Sequence, residues 1–223
     1  MSKNIAVVIL AGGGGRRLGG VIKANIKLNG KSLFDRVAAN VENIEGPHIL
    51  SIGDIAPDIF PTRPNSFPSA HEWVLLNDLH KKAIGPMAGL AAAVAYLNRR
   101  EENIDYLLSV AVDSPLFPSF FCPEALEVLT DDVDVVVASH GGQIYPTNAL
   151  WRLDSIVNLP DNLQGLANFG VKGLLRQLRV HELALDRFDP DNPCQNINNI
   201  ADILSIAPKV KTMPGHNEKK DAN

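Results

Sequence analysis

The sequence has little of several residue types and patterns, and each shortage excludes a class of protein. Its 223 residues include only Cys122 and Cys194 as cysteines, too few for a disulfide framework or a cysteine-rich zinc site. No apolar run approaches the roughly 18 residues that a membrane-spanning helix requires. Lys and Arg, 21 in all, are outnumbered by 25 Asp and Glu, so the net charge of −4 does not favour a general nucleic-acid-binding surface. The first residues lack the pattern of a secretion signal, and we expect a cytoplasmic protein.

Apolar, β-branched runs alternate with helix-length segments, a pattern typical of a doubly wound parallel sheet. The first run, Ile5–Leu10, is apolar at every position, which predicts a strand buried on both faces. The pattern predicts further strands at 48–52, 73–76, 106–112, 133–138, 143–151 and 180–185. It predicts helices at 32–44, 86–99, 123–129, 169–178 and 201–206.

These elements predict an α/β fold, a three-layer α/β/α sandwich around a mainly parallel, Rossmann-like sheet. Within the strand predicted at 143–151, Pro146 indicates a sheet edge or a bulge. Residues 53–70 form a long, proline-rich loop, and loops of this length are usually functional or mobile. We expect residues 1–207 to form one domain and residues 208–223, which are almost devoid of apolar side chains, to form a disordered tail.

A glycine-rich segment with basic residues directly follows the first predicted strand. Six of the nine residues from 12 to 20 are glycines, and a loop without side chains lets backbone N–H groups approach an anion closely. Arg16, Arg17, Lys23 and Lys27 supply positive charge for phosphate groups. The segment lies at the carboxyl end of a buried strand, where open α/β sheets bind ligands. It matches neither the GxGxxG pattern of dinucleotide-binding proteins nor a Walker A loop.

A single carboxylate, Asp113, ends the strand predicted at 106–112 and is followed by Ser-Pro. Such a carboxylate can hold Mg²⁺, which binds one or two protein carboxylates together with substrate phosphates. The alternative role of Asp113 is that of a helix N-cap, where Asp is also favoured.

Small residues begin the helix predicted at 86–99. Gly85, Pro86 and Gly89 suit a helix N-terminus that binds a polar or anionic ligand. The same small residues equally suit close packing of this helix on the sheet, so both interpretations stay open.

The segment from Leu10 to Lys23 resembles the glycine-rich signature of nucleotidyltransferases, which begins LAGG and ends on a lysine. With Gly19 and Gly20 it is most similar to the molybdenum cofactor guanylyltransferase branch. Further similar motifs follow in order: Asp78 with GPMAG at 85–89, DSPLFP at 113–118, and NINN at 196–199 in place of the family's Asn-Ile/Val-Asn-Thr. The resemblance covers residues 4 to about 205. It departs at Ile22, where family members usually have Asp.

The resemblance implies a sheet of the nucleotide-diphospho-sugar transferase type, and transfer of GMP from GTP to molybdopterin with release of pyrophosphate. It implies that Arg17 and Lys23 neutralise the triphosphate and that Asp78 lies near the base. It also implies that Asp113 binds Mg²⁺ and that Asn198 completes the metal and phosphate site. The nucleotide-binding residues that it implies are Leu10, Ala11, Gly12, Gly13, Gly14, Gly15, Lys23, Asp78, Gly85, Pro86, Gly89 and Asp113.

The implied substrates are GTP and molybdopterin, and the implied cofactor is Mg²⁺. We expect the protein to bind neither nucleic acid nor a membrane. Contact with molybdoenzymes or cofactor-insertion proteins stays open. Two alternatives remain. One is a cytidylyl or sugar-phosphate nucleotidyltransferase of the same fold. The LAGG form of the loop, Leu10 to Gly13, favours GTP, because cytidylyl relatives tend to have LAAG. The other is a relative that binds nucleotide without turnover, which Ile22 would suit.

Two charged pairs in the second half of the chain have competing interpretations. Arg176 and Arg179 could receive a phosphate of the acceptor, or they could belong to a solvated helix face. Asp132 and Asp134 have the DxD spacing of sugar-nucleotide glycosyltransferases. They precede a predicted strand, however, at the end of the sheet that does not bind ligands, so we interpret them as a surface turn.

Overall fold

The computed structural model describes residues 3–12, 14–15, 21–55, 72–79, 85–166 and 170–210. The strands of the central sheet are β1 Ile5–Leu10, β2 His48–Gly53, β3 Trp73–Asn77, β4 Tyr106–Ala111, β5 Val135–His140, β6 Gln143–Arg152 and β7 Val180–Ala184. The α-helices within the described residues are α1 Leu33–Val41, α2 Pro86–Leu97, α3 Phe121–Val128, α4 Leu159–Leu166, α5 Gly170–Leu175 and α6 Ile200–Ile206. None of them combines the length and apolarity needed to cross a membrane.

The seven strands lie in the order β7-β5-β6-β4-β1-β2-β3. Strand β6 is antiparallel to both of its neighbours, and the remaining pairs are parallel, so the prediction of a mainly parallel sheet is confirmed. The chain runs from β1 outward through β2 and β3, then crosses back to β4 on the other side of β1. Ligands bind in such sheets at the carboxyl ends of the strands where the order reverses. Leu10 is in register with Ala111, so the residues that follow β1 and β4 lie at the same edge.

The sheet is buried on both faces, which explains the continuous apolar run in β1. Val7 and Ile9 belong to a core cluster that includes residues of α1, α3 and α6. Ala6 and Val8 belong to a second cluster, with residues of α2, α4 and α5. Side chains that alternate between two faces can fill two cores only if every position is apolar. The predicted three-layer arrangement is therefore confirmed.

Local sequence explains where several helices begin. Ser32 caps α1: its hydroxyl accepts a hydrogen bond from the N–H of Asp35, and the Asp35 carboxylate accepts one from the N–H of Ser32. This reciprocal pairing satisfies two N–H groups that a helix start leaves without partners. Asn199 and Asp202 form the same box at the start of α6. Both helices begin within one residue of their predicted starts.

Three elements differ from the prediction. Helix α4 lies in a segment where the pattern predicts no helix, and Pro160 is in its first turn, where proline is tolerated. The helix predicted at 169–178 ends at Leu175. The first residues of the tail predicted from 208 are ordered: 207–209 form a 3₁₀ turn, and Val210 is buried in the core. Residues 211–223 lie outside the described residues.

The strand predicted at 143–151 lies inside the sheet, between β5 and β4, and the pairing with β5 shifts between Tyr145 and Ala149. A bulge leaves some backbone groups out of the ladder, which is where proline is tolerated in an interior strand. Of the two interpretations of Pro146, the bulge is confirmed and the edge is wrong.

Candidate active site

A cleft opens at the carboxyl edge of the sheet, where β1, β2 and β4 end and α2 begins. Most of the residues that the sequence assigned to the nucleotide and that the structure describes line this cleft. The described lining residues are Leu10, Gly12, Lys23, Ser51, Asp78, Gly85, Pro86, Gly89, Ala111, Val112, Asp113, Thr147 and Asn196.

Three polar side chains from distant parts of the chain meet at this edge. The ammonium Nζ of Lys23 donates hydrogen bonds to Asp113 Oδ2 and to Asn198 Oδ1, each at 2.8 Å. The side chains of Lys23 and Asp113 are only 14% and 17% exposed, so the ion pair is partly shielded from solvent. Such shielding strengthens the attraction between the charges relative to that of a surface pair. The structure thus brings together Lys23, Asp113 and Asn198.

The backbone around Asp113 and Asn198 holds these two side chains in place. The N–H of Ile197 donates to the Asp113 carbonyl at 2.8 Å, which ties the segment before α6 to the end of β4. The Asp202 carboxylate accepts from the N–H of Asn198 at 2.7 Å. The next described α-helix after Asp113 begins at Phe121, so the N-cap interpretation of Asp113 is wrong.

The loop after β1 depends on glycine because two backbones nearly touch. A Cβ on Gly12 would lie 2.7 Å from Gly53 Cα, and Gly53 has a φ of +64°. The ends of β1 and β2 are therefore closer than any side chain at either position would allow. Ala11, by contrast, is buried in the core, so its side chain is not available to a ligand.

Helix α2 begins at the cleft, and its start requires glycine. Gly85 has a φ of +67° and a ψ of −149°, a conformation that side-chain-bearing residues rarely adopt, and no side chain caps the helix. Pro86 has no N–H and the N–H of Ala88 donates to the Gly85 carbonyl at 3.1 Å, so Met87 carries the N–H that the first turn can offer to a ligand in the cleft. A Cβ on Gly89 would lie 2.3 Å from Ser51 Oγ and 3.0 Å from Leu10 Cδ2. Close packing of α2 on the sheet thus accounts for Gly89, which also lines the cleft.

Asp78 follows β3 and lines the cleft on the side of α2. Its N–H donates to the carbonyl of Gly53 at 3.2 Å, and the side-chain amide of Asn77 donates to the same carbonyl at 2.9 Å. Burial, and secondarily the negative charge of Asp54, raise the pKa of Asp78 to about 6. The ionised carboxylate of Asp78 is poorly solvated here, so a hydrogen bond from an N–H donor on a ligand would stabilise it.

Several predicted residues lie outside the described residues: Gly13, Arg16, Arg17, Gly19, Gly20 and most of the loop predicted at 53–70. Of the loop that follows β1, Gly14 and Gly15 pair with Ile22 and Val21 in a short antiparallel ladder. Ile22, which stands where the family usually has Asp, is half-buried against the core. Lys23 is nevertheless held by Asp113 and Asn198, so its orientation does not depend on a carboxylate at position 22.

The arginines suggested for the acceptor lie at the opposite edge of the sheet. The Arg179 guanidinium donates two hydrogen bonds to Asp134, next to the amino ends of β5 and β7. These hydrogen bonds hold the pKa of the Asp134 carboxyl well below its usual value. Arg176 is exposed in the turn that leads to β7. A role of Arg179 in acceptor binding is thus contradicted, while Asp134 occupies the strand-start position expected of it.

The sequence interpretation missed Ser51, Thr147 and Asn196, which also line the cleft. A signal for Asn196 was available, because residues i and i+2 of an extended segment point to the same side and Asn196 precedes Asn198 by two. Thr147 lies in the bulge of β6, where strand periodicity no longer indicates which way a side chain points. Ser51 lies between Leu50 and Ile52 in a buried strand and resembles a core residue.

The doubly wound sheet, the glycine loop and the cleft at the switch point define an α/β nucleotide-binding protein. The MobA-like NTP transferase domain family matches residues 7–182, and the chain belongs to this family.

Curated relatives match most of the chain. A molybdenum cofactor guanylyltransferase of Acidiphilium cryptum (strain JF-5) is 32% identical over 201 residues, covering 90% of this chain and 92% of that protein. One of Rhizobium meliloti (strain 1021) is 30% identical over 200 residues, covering 86% of this chain and 85% of that protein.

Solved structures share the architecture. Molybdopterin-guanine dinucleotide biosynthesis protein A from Archaeoglobus fulgidus superposes with a TM-score of 0.63 at 24% identity, covering 93% of this chain and all of that one. The 4-diphosphocytidyl-2C-methyl-D-erythritol synthase from Anaerococcus prevotii DSM 20548 gives a TM-score of 0.67 at 11% identity, covering 93% and 96%. The fold is that of the nucleotide-diphospho-sugar transferases, as the resemblance implied.

Proposed function

We propose that this protein transfers GMP from GTP to molybdopterin and releases pyrophosphate. Membership in the NTP transferase family and relatives named molybdenum cofactor guanylyltransferase support the proposal. The observation that carries it is that Lys23 and Asp113 line one cleft, beside Gly12 and the start of α2, and that Lys23 also donates to Asn198. These groups offer positive charge, a cation-binding carboxylate and N–H donors, which a nucleoside triphosphate requires.

The reaction needs no nucleophile from the protein. An oxygen of the terminal phosphate of molybdopterin attacks the α-phosphorus of GTP and forms a new phosphoanhydride bond. The bond from the α-phosphorus to the bridging oxygen of the β-phosphate breaks, and pyrophosphate leaves with that electron pair. The protein contributes by positioning the two phosphates and by stabilising the charge that moves to the leaving group.

Each described group has a role in this scheme. Lys23 neutralises phosphate charge, as Arg17 would from the glycine loop. The N–H of Met87 at the start of α2 and the backbone of Gly12 bind phosphate or base oxygens. The carboxylate of Asp78 accepts hydrogen bonds from N–H groups of the base, which guanine offers on its Watson–Crick edge.

The donor set at Asp113 and Asn198 fits Mg²⁺. Oxygens of both side chains already converge on one cation, the Lys23 ammonium, at 2.8 Å each. No cluster of three or more His, Cys, Asp or Glu side chains occurs among the described residues, so the site resembles those in which substrate phosphates and water complete the coordination of Mg²⁺. Bound there, Mg²⁺ would withdraw charge from the α-phosphate oxygens and favour attack on the phosphorus.

The proposal is tested by incubating the protein with each of the four NTPs, Mg²⁺ and molybdopterin, and measuring pyrophosphate release. We expect release with GTP and molybdopterin together. Release with CTP, or with a sugar phosphate as the acceptor, would instead support the alternative transferases of this fold. Nucleotide binding without any release would support the relative that binds without turnover.

The metal role is tested with Asp113→Ala, and Asp105→Ala serves as a matched control. Asp105 directly precedes β4, at the other end of the strand that Asp113 follows, and accepts a hydrogen bond from the N–H of Asn4. We expect Asp113→Ala to abolish Mg²⁺-dependent release while the protein stays folded, and Asp105→Ala to keep its activity. Retained activity of Asp113→Ala would refute the metal assignment. A cytoplasmic location and contact with molybdoenzymes stay predictions.

A further inference from the structure

A buried chain of hydrogen bonds runs behind the cleft from β6 to the segment before α6. Asn148, in the bulge of β6, accepts at Oδ1 from the N–H of Ala111 at 2.8 Å and donates from Nδ2 to Ser114 Oγ at 3.1 Å. Ser114 Oγ in turn donates to Asn196 Oδ1 at 2.8 Å. Asn148 and Ser114 are fully buried, whereas Asn196 lines the cleft.

The direction of this chain is determined by its first member. A backbone N–H can only donate, so the amide of Asn148 must present its oxygen to Ala111 and its NH₂ group to Ser114. Because that NH₂ group donates to the hydroxyl, the single proton of Ser114 is directed to Asn196. The Asn196 amide is therefore held by its oxygen, and no acceptor for its Nδ2 occurs among the described residues.

The sheet order indicates which substrate these N–H groups meet. The nucleotide-binding groups Gly12, Asp78 and Gly85 come from β1, β3 and α2, on one side of β4. Strand β6, which carries Asn148, lies on the other side of β4, and the Asp113 site lies between the two sides at the end of β4. An acceptor that attacks the α-phosphate must approach from the side opposite the leaving group. With the pyrophosphate held by the glycine loop that follows β1, as in the proposed function, the opposite side is that of β6.

We propose that Asn148 and Ser114 are positioning residues that orient the Asn196 amide so that its N–H groups bind the terminal phosphate of the acceptor. This proposal rests on the proposed function. Asn148 and Ser114 touch no substrate and act through Asn196. Cys194, whose thiol neighbours Asn148, is neutral because burial raises its pKa to about 12, so it places no charge beside the chain.

Ser114→Ala tests this proposal, with Ser109→Ala as the matched control. Ser109 is also fully buried at β4, and its hydroxyl accepts from Trp151 Nε1 at 2.8 Å, so both variants remove one buried hydroxyl. We expect both to lose similar thermal stability. Only Ser114→Ala should raise the KM for molybdopterin. The expected rise is about tenfold, because one hydrogen bond to a charged group is lost. The KM for GTP should be unchanged. Equal kinetics in the two variants would overturn the proposal.

Asn196→Asp provides a second test that does not depend on the folding of the buried variants. It keeps an oxygen for Ser114 and replaces the NH₂ group with an anionic oxygen on a partly exposed side chain. We expect the KM for molybdopterin to rise by more than tenfold, because the anion repels the acceptor phosphate, while GTP binding measured by calorimetry persists. An unchanged KM would overturn the proposal. Failure of the wild-type protein to transfer GMP to molybdopterin would instead refute the proposed function, and with it the acceptor assignment.

Discussion

The substitution Gly12→Ala tests whether the close approach of two backbones at the cleft is required for both stability and activity. The added Cβ would lie 2.7 Å from Gly53 Cα and 2.8 Å from Gly53 N, and neither atom can rotate away. Carbon atoms pack at about 3.5–4.0 Å, so the two loops must separate by roughly 0.8 Å.

This separation has an energetic and a kinetic consequence. Inserting a carbon into a packed site destabilises a protein by about 1–3 kcal/mol, and the smaller entropy of an unfolded chain with alanine offsets about 0.4–1 kcal/mol of this. A net loss of about 1–2 kcal/mol lowers the Tm of a protein of this size by roughly 2–8 °C. Gly12 and Ser51 of β2 both line the cleft, and a displacement of about 1 Å at reacting groups can reduce the rate about 10²-fold.

Thermal unfolding and the rate of GMP transfer from GTP measure the two effects. Gly30→Ala is the control, because Gly30 has a φ of +82° and no heavy atom lies within 4 Å of its added Cβ. Backbone strain of about 1–2 kcal/mol should destabilise this variant to a similar degree without moving the cleft. If Gly12→Ala were as stable and as active as the wild type, or if both variants lost activity equally, the steric argument would be refuted.

Three further substitutions test the site and its surroundings. Lys23→Met removes a cation from the triphosphate site and should lower kcat for pyrophosphate release about 10²-fold or more. Asp78→Asn should change the pH dependence of urea unfolding. Because the pKa of Asp78 is raised to about 6, the wild type loses stability as pH rises from about 4 through 6, and the variant should lack this loss. Arg179→Met should lower the free energy of unfolding at pH 7, because Arg179 depresses the pKa of Asp134. The difference in stability between this variant and the wild type should shrink as pH falls below about 4. The KM for molybdopterin should be unchanged.

Each of these expectations has a contrary outcome. Normal activity of Lys23→Met would exclude this lysine from charge neutralisation. An Asp78→Asn variant with the wild-type pH profile would show that another group titrates in that range. A raised KM for molybdopterin in Arg179→Met would restore an acceptor role to an arginine that the fold places at the far edge of the sheet.

Local pattern predicted the elements that follow a simple rule. The continuous apolar run Ile5–Leu10 predicted a doubly buried strand, and Ser32 with Asp35 marked a helix start. Errors arose where a residue has two compatible roles: Pro160 lies in the first turn of α4, and Pro146 lies in an interior bulge. Sequence alone cannot separate these roles because proline breaks a helix only past its first turn, and a strand only where its ladder hydrogen bond is needed.

The sequence by itself determined the fold class, because the burial of a strand is a local property of residue type and spacing; the anion-binding chemistry of the glycine loop stays a prediction. Only the tertiary structure decided which polar groups act together. Lys23 and Asn198 are 175 positions apart, yet one hydrogen bond joins them because β1 and β4 end at the same edge. The same topology places Arg179 at the opposite edge and aligns Asn148 behind Asn196. Contacts between distant segments depend on strand order, which is set by the packing of the whole chain and by no single motif.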